Sequence, residues 1–448
     1  MTPILNKSYL QMSEVDRSIH KVLFIAGLLS LCSYGYLLIQ SQSYGDASLQ
    51  DLWLASGLCN VINFFLFFYL WKQKSCSPIT LILLFAIAFR LVGLATFPIL
   101  EDDFYRYLWD GYSVIEHGNP YIQPPSASFD QTNLGERFDE ILDSINYPNI
   151  PTVYGPVLQW VFGISAWIAP GELWPVKIFI FIADIAVLLL LIRLFKNDVS
   201  KIPFLLLYAW NPLIIKEFVI SAHPDIIGVA FLMFGIVAAQ KRFIYPAAML
   251  FALAAASKIF AIILIPFILK FNWRAWSVFF VSCLIVALPF GIVDAWLPKG
   301  LQVMANLWLF NAPLYTLFLP ILEFNTIKLI LLSCFTCGLA VYYFYFLRNK
   351  CTPLKVRGDY LYGALLLCIS VLNPWYVVWL LPFAVTSSAI WPSVAAATIL
   401  LLGYASGINT GNESGLYDQS NVTLLVQFGM IVCVLFTELA LSWKRKNE

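Results

Sequence analysis

Residues 81–125 read LILLFAIAFRLVGLATFPILEDDFYRYLWDGYSVIEHGNPYIQPP, an apolar run that stops at Leu100 and is followed at once by Glu101, Asp102 and Asp103. About 20 apolar residues are enough for a helix to cross the hydrocarbon core of a bilayer. The three acids therefore fall where a hydrophobic helix leaves the membrane. A carboxylate at that level is partly desolvated, and Tyr105, Arg106, Tyr107 and Asp110 follow within two helical turns. Such a carboxylate beside an arginine can act as a general base toward a hydroxyl. Acids that merely cap and orient a membrane helix would give the same charge pattern.

The whole chain agrees with a membrane setting. Its 448 residues are 60% hydrophobic and 12% charged, with a mean hydropathy of +0.78. Soluble domains carry about 25% charged residues. The net charge of +1 comes with no basic patch, which excludes nucleic acid as a partner. Nine cysteines are scattered through apolar runs, and Cys334 and Cys337, the one close pair, lie inside a candidate helix without histidines nearby. They are expected to be buried, inert thiols. Met1 to His20 is polar and shows no small-residue cleavage site, so the first apolar run is expected to remain as an anchor.

Three candidate spans come first, at 21–40, 52–71 and 79–99. Lys7, Arg17 and Lys21 precede the first, and Lys72 and Lys74 separate the second from the third. The positive-inside rule then places the N-terminus in the cytoplasm and Glu101 outside. Residues 101–152 form the longest polar interruption, with ten acids (Glu101, Asp102, Asp103, Asp110, Glu116, Asp130, Glu136, Asp139, Glu140 and Asp143) against Arg106 and Arg137. Within it, 103–117 is expected to be an interfacial helix with Phe104, Tyr107, Leu108 and Tyr112 on one face, stopped by Gly118-Asn119-Pro120.

Residues 153–169 are apolar but short, and a crossing there would deliver Arg193, Lys196 and Lys201 to the outside. They are expected to stay at the outer interface or form a re-entrant helix, leaving 175–195 to cross. Further spans follow at 202–219, 224–239, 243–256, 258–270, 276–293, 327–347, 360–372, 374–390, 392–405 and 421–442. Most of the 27 basic residues then fall on the cytoplasmic side, and most of the 26 acids outside. The expected fold is all-α, a polytopic transmembrane helical bundle of about 11–14 spans. It forms a single integral membrane domain over 1–448, with an outer catalytic loop at 100–174 and both termini cytoplasmic.

Several charges at membrane depth need partners. Arg90 and Asp184 lie about 16 Å and about 14 Å below the same surface at the helical rise of 1.5 Å per residue, so they are expected to pair with each other. Lys258 stands at the tip of the hairpin formed by 243–256 and 258–270. Its partner is either a substrate phosphate or an acid of the outer loop. His223-Pro224-Asp225 opens a helix on the outside, where the side chains can bond sugar hydroxyls. Asp225 is equally well placed as a helix N-terminal acid. Lys216 and Glu217 lie just upstream. Asn373-Pro374-Trp375-Tyr376 breaks an apolar run, and its rings can stack on sugar or anchor the interface. Asn306, Trp308 and Asn311 form a further candidate sugar-binding group. No Walker loop, GxGxxG motif or metal-ligand spacing is present.

In order along the chain, Asp102-Asp103-x-x-Arg106-Tyr107-x-Trp109-Asp110-Gly111, then Gly118-Asn119-Pro120-Tyr121, then Ile150-Pro151-Thr152-Val153-Tyr154-Gly155-Pro156 resemble the first outside loop of the GT-C superfamily of membrane glycosyltransferases. The likeness is greatest to the bacterial polyprenyl-phosphate-mannose-dependent mannosyltransferases. The resemblance implies an acid in this loop that deprotonates an acceptor hydroxyl, with Asp102 the first choice and Asp103 the second. Asp110 is expected to hold the loop together. The resemblance further implies a role for Lys258 at the donor phosphate, with Arg106, Tyr107 and Tyr154 at the phosphate or sugar. His223, Asp225, Asn373, Trp375 and Tyr376 are candidates for binding sugar or acceptor.

The implied partners are a polyprenyl-phosphate-linked sugar, a lipid or glycan acceptor and membrane lipid, in a plasma (inner) membrane. No cofactor is implied and no metal site is assigned, although Asp102 and Asp103 could bind an ion. The family often has Tyr-Pro-Pro where this chain has Tyr154-Gly155-Pro156, a change expected to loosen the turn, and often His where Asn373 stands. A transporter or flippase of lipid-linked sugars would also use buried charges and broken helices. The acidic loop near the N-terminus has no matching second half, which argues against it. A non-catalytic subunit that binds lipid-linked sugar is a third possibility.

Overall fold

The computed structural model describes residues 14–73, 78–130, 134–405 and 420–447. Lys7, Lys74 and Asn412-Glu413-Ser414, an N-x-S acceptor pattern for glycosylation, lie outside them. In chain order the principal helices are α1 (Glu14–Gln40), α2 (Leu49–Lys72), α3 (Ile79–Ala95), α4 (Asp103–Glu116), α5 (Glu136–Asp143), α6 (Pro156–Ile168), α7 (Trp174–Phe195), α8 (Ile202–Ala209), α9 (Asp225–Gln240), α10 (Ile244–Ser257), α11 (Trp273–Ala287), α12 (Phe324–Arg348), α13 (Gly358–Cys368), α14 (Leu381–Ser387), α15 (Trp391–Thr398) and α16 (Asn421–Asn447). Among the described residues no sheet forms, and a single bridge joins Phe310 to Val371. Among the described residues, seven helical segments are long and apolar enough to cross a membrane: α1, α2, α7, Val199–Ile220, Trp273–Phe290, α12 and Asn421–Lys444. The protein is an all-α polytopic bundle.

Several segments that look like single spans in sequence are broken. Residues 202–219 run as α8, turn at Asn211-Pro212 and continue as a π-helix over Ile215–Ile220. Residues 258–270 are a 3₁₀ stretch, Ile259–Ile263, and a short helix, Ile265–Leu269. Residues 374–390 start as a 3₁₀ helix at Pro374–Trp379, and 392–405 pass from α15 into a π-turn. Proline explains most of these breaks: Pro212, Pro266, Pro374, Pro382 and Pro392 each lack an N–H and sit at the start of a new helical piece. The freed backbone groups of the segment Val199–Ile220 are tolerable because every residue from Ile202 to Ile220 is buried in protein.

Two buried cations fix the frame around the acidic loop. Arg90 of α3 pairs with Asp184 of α7 at 2.5 Å, both fully buried, and also donates to the carbonyls of Ala86 and Ala209. The pairing expected from their matching depths is present. Lys177, at the start of α7, donates to the carbonyls of Gly93, Leu94 and Thr96 at 2.6–3.2 Å. It caps the C-terminal end of α3, where partial negative charge accumulates, and sets where the chain leaves that helix. Leu100 then adopts a left-handed backbone, φ 54°, to turn the chain into the acids. This conformation is costly for a residue with a Cβ and has to be imposed by its surroundings.

One expectation fails on the lipid side. Cys334 and Cys337 are exposed on the face of α12, not buried. The helix is apolar nearly all round, so its sequence does not reveal which side meets protein.

Candidate active site

Helix α4 is held against α6 by close approach. A Cβ on Gly111 would lie 2.5 Å from the Phe162 carbonyl, and one on Gly163 would lie 2.6 Å from Val114. The Tyr107 ring stacks on Phe162 at 4.9 Å between centroids. Asp110 accepts from Arg106 Nε at 2.9 Å, from Gln159 Nε2 at 2.9 Å and from the Thr152 hydroxyl, while Arg106 also donates to the Ile150 carbonyl. These bonds tie α4 to the Ile150–Pro156 motif, which is how Asp110 holds the loop together.

Gly155 corrects a sequence expectation. A Cβ there would lie 2.2 Å from the Ala256 carbonyl. Far from loosening the turn, Gly155 permits the loop to press on the end of α10, beside Lys258. Proline at this place would collide with that carbonyl.

The loop, the end of α10 and the Asn373 segment surround a cavity of about 380 Å³. Asp102, Asp103, Arg106, Tyr107, Tyr154, Asp225, Lys258, Asn373, Trp375 and Tyr376, all proposed from sequence, line it. His223 does not. It is fully buried behind the wall, where its ring stacks on Trp375 at 3.7 Å and its Nδ1 lies 3.1 Å from the Tyr107 hydroxyl. Of the lower-ranked group, Trp308 reaches the cavity, Asn306 accepts from Lys328, and Asn311 is buried against Gln427.

The two aspartates occupy different environments. Asp102 precedes the first turn of α4 and accepts from Asn146 Nδ2; burial, reinforced by the charge of Asp103, pushes its carboxyl up to about 7. Asp103 lies in the first turn and accepts from the Tyr154 hydroxyl at 3.3 Å. Burial pushes it up to about 6, opposed by the Tyr154 bond and the charges of Lys258 and Arg106. Both carboxyls thus exchange protons near neutrality, a property suited to acid–base chemistry.

Lys258 pairs with Asp225 at 2.6 Å and lies over the Tyr376 ring at 3.7 Å, with Trp379 Nε1 donating to Asp225 at 3.2 Å. Its partner in the protein is therefore the acid that opens α9, not one from the outer loop. The ammonium still faces the cavity.

The sequence gives no sign of Asn146 or Tyr404 as neighbours of the acids, and marks Glu101 only by its position at the helix exit. Glu101 is buried and pushed well up by that burial. It accepts from the Tyr404 hydroxyl at 3.0 Å, and Tyr404 also contacts Glu217 and the ammonium of Lys216. Lys216 and Glu217 are fully buried in this cluster and do not line the cavity. Glu101, Asp102 and Asp103 each place one oxygen within 4.8 Å of the others, a spacing that could hold a divalent cation.

Paired carboxylates, basic side chains and aromatic rings thus surround one cavity within a helical membrane bundle. The model of the MptA/B family, described as alpha-(1->6)-mannopyranosyltransferase, N-terminal domain, matches residues 19–274, more than half of the chain, and the protein belongs to that family. It is a mannosyltransferase. No curated protein and no solved structure matches the chain. The matched residues carry the whole acidic loop and Lys258, while Asn373, Trp375 and Tyr376 lie beyond them.

Proposed function

We propose that the protein transfers mannose from a polyprenyl-phosphate carrier to a hydroxyl of a lipid- or glycan-linked acceptor at the outer face of the plasma membrane, with inversion at the anomeric carbon. The observation that carries this reading is the placement of two carboxylates that exchange protons near neutrality and of Lys258 on the same cavity at the end of α3. Asp102 is the base. It takes the acceptor's hydroxyl proton while the acceptor oxygen forms a bond to the anomeric carbon, and the bond from that carbon to the lipid phosphate breaks with its electron pair. Lys258 faces the charge that develops on the departing phosphate, the kind of fixed cation that stabilises a transition state. Attack from the side opposite the phosphate inverts the centre. The distribution of basic residues along the chain supports an outer-face site.

The test is transfer from radiolabelled polyprenyl-phosphate mannose to a panel of acceptors by purified protein. Asp102→Asn is expected to lower turnover by about 10²–10⁴ while donor binding is retained, with a smaller loss for Asp103→Asn. Full turnover in both variants would overturn the mechanism.

A further inference from the structure

Helices α12 and α13 share a seam that carries two cavities in line. The cavity beside the acidic loop extends to Lys328 and Leu332 of α12 and to Cys368 at the end of α13. A second cavity of about 260 Å³ continues along the same two helices, lined by Phe335, Gly338 and Tyr342 on one side and Leu361 and Ala364 on the other. Leu332 and Phe335 are one helical turn apart, as are Ala364 and Cys368, so the second cavity begins where the first ends. From Leu332 to Tyr342 the seam runs about 15 Å at the α-helical rise, half of the hydrocarbon core of about 30 Å. Gly338 leaves open space in its wall, where an added Cβ would meet nothing within 4 Å.

We infer that this seam holds the polyprenyl chain of the donor, whose phosphate enters the cavity past Lys328 and comes to rest at Lys258. The inference rests on the donor proposed above and adds where its lipid lies. Three features select the occupant. The seam is apolar along its length and at one end joins the cavity that carries Asp102, Asp103, Arg106 and Lys258, so its ligand is a lipid with a polar head that belongs among those charges. A groove between one pair of helices takes one chain, whereas a phospholipid brings two. Lys328 at the junction carries a positive charge, its ammonium held by the Asn306 side chain and the Ala305 carbonyl. A phosphate that links sugar to chain must pass that junction if the sugar occupies the cavity.

The experiment compares mannosyl donors with a long polyprenyl chain and with a chain of two isoprene units. Gly338→Phe fills the seam into open space, so the fold is expected to accept it. KM for the long-chain donor is expected to rise about tenfold, with the short-chain donor unaffected. Equal effects on both donors, or none on either, would overturn the inference. Transfer from neither donor by the unmodified protein would instead overturn the donor assignment, and the seam with it. In the unmodified protein, maleimide labelling of Cys334, on the seam, is expected to slow with long-chain polyprenyl phosphate. Labelling of Cys337 should stay constant, with both sites resolved by peptide mass spectrometry. Equal protection of Cys334 by phosphatidylglycerol would assign the seam to bulk lipid and refute the inference.

Discussion

Asn146→Ala tests whether Asp102 is the base. Asn146 donates to the Asp102 carboxylate, and that bond opposes the burial that pushes the carboxyl up to about 7. A hydrogen bond to a charged group contributes about 1.5–3 kcal/mol. Asn146 is exposed, and water replaces part of what it supplies. A residual effect of about 0.7–1.4 kcal/mol corresponds to roughly 0.5–1 pH unit at 1.36 kcal/mol per unit. The base works only when ionised, so activity falls as pH drops through its pKa. Removing a bond that favours the ionised form moves that limb to higher pH. In kcat/KM profiles from pH 5 to 9, the acid limb of the unmodified protein is expected near 7. In Asn146→Ala it should lie about 0.5–1 unit higher, with activity at low pH reduced about three- to tenfold and the profiles converging at high pH. A limb that stays in place or moves down would refute Asp102 as the base. A limb near 6 that ignores Asn146 would point to Asp103.

Two further outcomes follow from the charges around the cavity. Lys258→Met is expected to lower kcat/KM for the donor by about 10²–10³, and Asp225→Asn, which leaves the ammonium in place, by much less. Recovery of turnover in the double variant would mean that Lys258 serves only to neutralise Asp225. Arg90→Met strands Asp184 without its partner in the bundle interior, at a cost of about 3–5 kcal/mol. Denaturation in detergent should show that loss, and Arg90→Met combined with Asp184→Leu should restore most of it. A single variant within about 1 kcal/mol of the unmodified protein would contradict the structural role assigned to the pair.

What the sequence discloses here depends on whether a partner can be located by counting. Arg90 and Asp184 can be paired because each lies a known number of residues from the same membrane surface, and depth is the one coordinate that a spanning helix writes into its sequence. The acidic loop is legible for the same reason: polarity begins abruptly where an apolar run ends. Asn146 and Tyr404 could not be found this way. Asn146 is 44 residues from Asp102 in an irregular loop, and Tyr404 is 303 residues from Glu101. The breaks in the helices are half legible, since proline marks where a helix is interrupted but not whether the chain turns, tightens or passes into a π-helix. Gly155 shows the limit most clearly. In sequence, glycine where proline is usual suggests freedom, yet the carbonyl of Ala256, 2.2 Å from where a Cβ would stand, makes it a point of close contact. That contact brings Tyr154, and through it Asp103, to the end of α10 where Lys258 waits. The site is assembled by two chain segments that approach too closely for a side chain between them, and sequence spacing does not encode distance between segments.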